Sequence, residues 1–134
     1  MSYSISVHFG RLERHLIESD VVSSYTVVRR QVTSIDGKVR IRARLKDGGL
    51  LELFEYVALN ASEQIARLKY SYHWQSANGS LVRRWDMVPH HLQLPHAPHH
   101  VHLPDGSVEG VADPPDAIEV LARIKMRFRQ EEQE

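Results

Sequence analysis

Between residues 38 and 46 the chain alternates without a miss: Lys38, Arg40, Arg42, Arg44 and Lys46 are separated by Val39, Ile41, Ala43 and Leu45. Side chains two apart on an extended backbone share a face. This segment reads as a strand with one cationic, wet face and one dry face. A helix is excluded, because its period would spread the cations all round the axis. A strand of this kind needs partners along its edges and a second layer over its dry face.

The neighbouring segments share the period of two. Val21 to Thr33 is rich in β-branched residues and reads as a strand. Asp36-Gly37 is a turn signal, and Asp47-Gly48-Gly49 is the next. A three-residue loop there pairs Leu45 with Leu51, Ala43 with Leu53 and Arg44 with Glu52, which sets apolar opposite apolar. Strands follow from Leu50 to about Leu59 and over 64–76. Asn78-Gly79 is a type I′ hairpin signal that pairs Ala77 with Ser80, and further along it sets Ser71 opposite Asp86, Tyr72 opposite Trp85 and His73 opposite Arg84. That register brings Lys69, His73, Arg84 and Asp86 to one sheet face.

Helices flank this β region. Ile5, Phe9, Leu12 and Leu16 make one apolar stripe over residues 5–18. At the other end Asp113 is expected as an N-cap with Pro114 at the first helical position, followed by a stripe of Ile118, Leu121, Ile124 or Lys125, and Phe128. Glu131 to Glu134 reads as a frayed tail. Residues 89–110 carry four of the six prolines and are expected as a loop, or an extended segment lying across the sheet. The fold expected is α+β: one domain over 1–134, an antiparallel sheet of about five strands, both helices on one face, and a histidine- and proline-rich loop at the edge. The other face is left polar and basic, and an open sheet edge leaves a homodimer possible.

Composition removes several function classes. Lys+Arg and Asp+Glu are both 17, so this is not a globally basic nucleic-acid binder, although a local basic face remains open. Cysteine is absent, which removes disulfides, thiolate metal sites and a cysteine nucleophile. There is no Gly-rich phosphate loop and no Gly-x-Ser-x-Gly elbow. The first residues, Met1 to Ile5, lack a basic segment running into an apolar one, and no stretch has the roughly 18 apolar residues of a membrane span. A cytoplasmic protein without a membrane role is expected.

Of nine histidines, six fall in one short segment: His90, His91, His96, His99, His100 and His102. Three readings compete for them. In the first, histidines exchange protons with RNA while arginines neutralise the phosphate; a base takes the 2′-hydroxyl proton and an acid protonates the departing 5′-oxygen. The basic sheet face holds the RNA backbone, with Tyr70, Tyr72, Trp74 and Trp85 as candidate stacking groups, although Tyr72 and Trp85 read first as a sheet-stabilising pair. In the second, His99, His100 and His102, with Asp86, His90 or His91, bind a divalent metal. His100 and His102 share a side of an extended segment, but no helical His-Glu-x-x-His spacing is present. In the third, the rings pack against prolines and bind loop carbonyls. His8 and His15 flank the first helix's stripe with no chemical role assigned, and Glu52 reads as the partner of Arg44.

Three elements in order resemble a known family. Tyr70-Ser71-Tyr72-His73, then Arg84-Trp85-Asp86 with Pro89-His90-His91, then Pro98-His99-His100-Val101-His102 are similar to the signature of TumE-like proteins, over about residues 50–130. Met87 departs from it, standing where that signature favours asparagine. The resemblance implies the toxin half of a prokaryotic toxin–antitoxin pair, which slows growth, cuts RNA and is neutralised by a cognate antitoxin. With it, the expected site comprises His73, Arg84, Asp86, His91, His99 and His100. His99 or His100 and His73 or His91 move protons, Arg84 neutralises phosphate, and Asp86 orients a histidine or Arg84. Arg40, Arg42, Arg44, Lys69 and Arg83 are expected to bind RNA, and no metal or other cofactor is called for. The alternatives are a non-catalytic module that grips a protein or nucleic acid, and a divalent-metal-dependent hydrolase.

Overall fold

The computed structural model describes residues 4–133; residues 1–3 and Glu134, the last residue of the expected tail, lie outside it. Helix α1 (Ile5–Glu18) opens the chain, with Ser4 as its N-cap. Strands β1 (Val22–Val32), β2 (Asp36–Leu45), β3 (Leu50–Leu59), β4 (Ile65–Gln75), β5 (Leu81–Asp86), β6 (His100–His102) and β7 (Val108–Gly110) follow, and α2 (Ala117–Glu132) closes it. All seven strands form one antiparallel sheet whose spatial order is the chain order.

Alternation decides what is buried. Val39, Ile41, Ala43 and Leu45 of β2, Leu51 and Leu53 of β3, Tyr70, Tyr72 and Trp74 of β4, Trp85 of β5 and Val101 of β6 form one core. Ile5, Phe9, Leu12 and Leu16 of α1 and Ala117, Val120, Leu121 and Ile124 of α2 join that core, so both helices cover this inner face. Tyr72 pairs with Trp85 as expected, but not through the expected turn: Ser76, not Ala77, faces Ser80 around a 77–79 loop, and an irregularity between Trp74 and Gln75 restores the register. The four aromatic residues considered for base stacking, Tyr70, Tyr72, Trp74 and Trp85, are all buried and serve the core.

The strand count is seven rather than about five. The proline-rich segment spares two stretches of three residues, and these become β6 and β7. The turn between them is Asp105-Gly106, with Gly106 at φ +88 and the Asp105 carboxylate accepting from Ser107 N. The β2–β3 register also differs, pairing Ala43 with Leu51 and Arg42 with Glu52. Gly48, at φ +89, takes the left-handed position that ends a three-residue loop, so the loop is 46–48 rather than 47–49. The shift is even, so faces are kept, but Glu52 now reaches Arg40 and Arg42 instead of Arg44. Helix α2 begins three residues later than expected. Asp116, not Asp113, caps it by accepting from Glu119 N at 2.8 Å. A residue before proline resists the helical region, so Asp113-Pro114-Pro115 stays outside the helix and Asp116-x-x-Glu119 starts it.

A polar knot ties both helices to the sheet on the inner face. Tyr72 Oη donates to Glu55 Oε2 at 2.6 Å, and His8 Nε2 of α1 lies 3.1 Å from Glu55 Oε1. Arg67 Nη1 donates to Tyr72 Oη at 2.9 Å and to the Pro115 carbonyl, just before α2, at 2.7 Å. Burial and the neighbouring Glu55 carboxylate push the Tyr72 hydroxyl well above its ordinary value, so it stays a donor.

Candidate active site

The outer face carries two ladders of side chains in register across the strands. One runs Arg42, Glu52, His73, Arg84, His102. The next runs Arg40, Phe54, Ser71, Asp86, His100, Gly110. At its β2–β4 end this face is wet, as expected for one side of an antiparallel sheet. At the β5–β6 end it is not: Asp86 and His100 are both 2% exposed. The segment 87–99 folds back over them. It passes so close to β7 that a Cβ on Gly110 would overlap the Pro95 carbonyl oxygen.

Each atom of the covered pair has a defined partner. Asp86 Oδ1 accepts from Val88 N at 3.1 Å and lies 2.8 Å from His100 Nε2. Asp86 Oδ2 lies 3.1 Å from Arg84 Nε and 3.5 Å from His102 Nε2. The Arg84 contact is an ion pair by distance but off the line of a hydrogen bond, since Arg84 Nε counts as buried without a hydrogen-bond partner. The contact is electrostatic. His100 Nδ1 lies 2.8 Å from the Pro98 carbonyl. A carbonyl only accepts, so Nδ1 carries a hydrogen and Nε2 is the nitrogen turned to the carboxylate.

His91, from the covering segment, completes a triangle of imidazoles. Its ring centroid lies 4.9 Å from that of His100 and 5.7 Å from that of His102, and the latter two are 5.0 Å apart. The rings meet edge to face, with planes 66°, 75° and 73° apart. Burial holds the His102 imidazole below its usual value; Asp86 pulls the other way, and His100, Arg84 and His91 add to the lowering. His73, one strand beyond Arg84, is also held low by burial and then by Arg84, with Glu52 opposing.

Of the residues expected at the site, Asp86, His91 and His100 come together, with Arg84 at their side and His73 one strand away. His99 does not join them. It neighbours His100 in a strand-like segment and so points to the inner side, where its Nδ1 lies 2.9 Å from Tyr70 Oη and the two rings stack. Burial lowers His99 and pushes the Tyr70 hydroxyl up to about 12. His102 takes the place expected of His99; the signal was the His-x-His spacing at 100 and 102. Arg83 is likewise on the inner side, beside Trp74, Val82 and Arg123. Arg40 and Lys69 line an outer hollow of about 650 Å³ with Phe54, Met87, Pro98 and Arg84. Arg42 sits in the ladder, and Arg44, opposite Leu50, lies further off. His90 and His96 are exposed.

A family model described as Toxin TumE matches residues 12–131. No curated protein and no solved structure matches the chain.

Proposed function

The chain belongs to the TumE toxin family, and on that premise we propose that it is the growth-arresting half of a toxin–antitoxin pair that works by cutting RNA on the outer face of its sheet. Membership implies a cognate antitoxin. The observation that supports RNA cleavage is the covered Asp86–His100 pair beside Arg84, on the sheet face that also carries Arg40, Arg42 and Lys69. Burying charge is costly, and a buried charged pair beside an open cationic face is a candidate for chemistry.

In this reading the RNA backbone crosses the ladder with a phosphate on the Arg84 guanidinium, which is 42% exposed at its side chain. Arg40, Arg42 and Lys69 carry the flanking phosphates. His73, whose low pKa leaves it neutral near pH 7, is the base for the 2′-hydroxyl. The β6 histidines of the Asp86 cluster, two strands and ~10 Å from His73 at the strand spacing, supply the proton for the departing 5′-oxygen and the charge that steadies the phosphorane.

The test is cleavage of RNA by purified, untagged protein, with His73→Gln and Arg84→Ala alongside. Both variants are expected to lower kcat/KM by roughly 10²–10⁴-fold. Binding of RNA without product, from wild-type protein that still arrests growth, would make this a binding module instead.

A further inference from the structure

We propose that His91, His100 and His102, with Asp86 as a fourth ligand, form a binding site for a zinc-type divalent cation. The site goes beyond the RNA reading and does not depend on it. One ligand atom from each histidine lies within 4.8 Å of the other two. A tetrahedral shell with bonds of about 2.0–2.1 Å holds its ligand atoms ~3.4 Å apart, so each ring needs to move in by under ~1 Å.

Four features separate this cluster from a chance meeting of histidines. The three rings meet edge to face at 66–75° rather than stacking, and one ligand nitrogen of each lies within 4.8 Å of the other two. The His100 Nδ1–H is committed to the Pro98 carbonyl at 2.8 Å, which leaves Nε2 as the ligand atom and fixes the ring. Asp86 offers Oδ2 3.5 Å from His102 Nε2, close to the spacing of neighbours in that shell, and Oδ1 2.8 Å from His100 Nε2. A bare nitrogen and a carboxylate oxygen 2.8 Å apart repel unless a positive centre lies between them. A proton there serves one ring of the three, whereas a divalent ion serves all three and the carboxylate. The donor set is imidazole and carboxylate with no thiolate, which suits zinc and its neighbours rather than calcium.

Asp86 and His100 are buried, but His102 keeps 29% of its side chain exposed. The ion therefore has one side open to solvent, next to Arg84 and the ladder. Where the RNA reading holds, His73 keeps the role of base, and the ion held by these residues would acidify a water for use as the acid.

Untagged protein stripped with EDTA and dialysed is titrated with zinc chloride by calorimetry, and bound zinc is counted by elemental analysis. One equivalent per chain and a raised Tm are expected. His91→Gln lies on the covering segment, and is expected to bind roughly 10–100-fold more weakly or worse with an unchanged metal-free Tm. His100→Gln with His102→Gln is expected to lose the ion. No binding by wild-type protein, or binding that survives those changes, overturns the site. RNA cleavage separates the two proposals: zinc bound with no RNA cut sinks the RNA reading alone, and cleavage unaffected by EDTA in a protein that binds no zinc sinks the ion alone.

Discussion

His73 and His100 lie on one sheet face yet differ in what surrounds their nitrogens. Both nitrogens of His100 meet acceptors, the Pro98 carbonyl and the Asp86 carboxylate. His73 meets burial and the Arg84 guanidinium, which together hold it below its ordinary value of about 6.5. Between its folded value and about 6.5 the unfolded chain binds more protons at this position than the folded one. His73 therefore takes stability away as pH falls through that window, and costs nothing above it. Urea unfolding at pH 7.5 and at pH 5.5 is expected to show a smaller loss of stability in His73→Gln than in the wild type. Equal losses would mean that His73 is not depressed. Arg84 acts on two sides at once: it adds to the burial that holds His73 low and it faces the Asp86 carboxylate, so its charge is felt by His73 and by the cluster.

At the scale of elements, the meander through β5 and the two faces were legible in the sequence, because alternation at Lys38–Lys46 and the Asn78-Gly79 turn are local signals that tertiary contacts reinforce. Three features were obscured. Asp105-Gly106 is a hairpin signal as good as Asn78-Gly79, but it sits among prolines that argue against strands, and three residues show no period. The loop before β3 follows whichever glycine takes the left-handed position, and Asp47-Gly48-Gly49 offers two. The site itself depends on the covering segment folding back onto the sheet, a long-range contact with no periodic signature; only the side shared by His100 and His102 was readable. That segment is seated at Gly110. Gly110→Ala forces a methyl into the Pro95 carbonyl and is expected to cost roughly 1–3 kcal/mol, to leave the circular dichroism of the sheet and helices unchanged, and to lift His91 from the cluster. Thermal melts and the zinc titration check this; an unchanged Tm with unchanged zinc binding would show that the segment does not rest there.

The described residues form one sheet under two helices that come from opposite ends of the chain and share one polar knot. Glu55 is 3% exposed and holds Tyr72 and His8, while Arg67 joins Tyr72 to the residue before the α2 cap. Glu55→Leu leaves the Tyr72 hydroxyl and His8 without that acceptor and is expected to cost roughly 1.5–3 kcal/mol for each charged hydrogen bond lost. Amide exchange is expected to quicken in α1 and α2 together, since the same knot serves both; quickening in α1 alone would separate them. The described residues hold no helix long and apolar enough to cross a membrane. Sheet order equal to chain order has a further consequence, which concerns synthesis. Each strand from β2 onward leaves the ribosome to find its neighbour already made, so the sheet can extend in step with translation. Asp86 emerges with β5 and the histidines only afterwards, on the segment that must then fold back. A chain interrupted before His100 carries five strands of the sheet but not the assembled Asp86–histidine cluster, so the proposed site is completed only after most of the sheet is made.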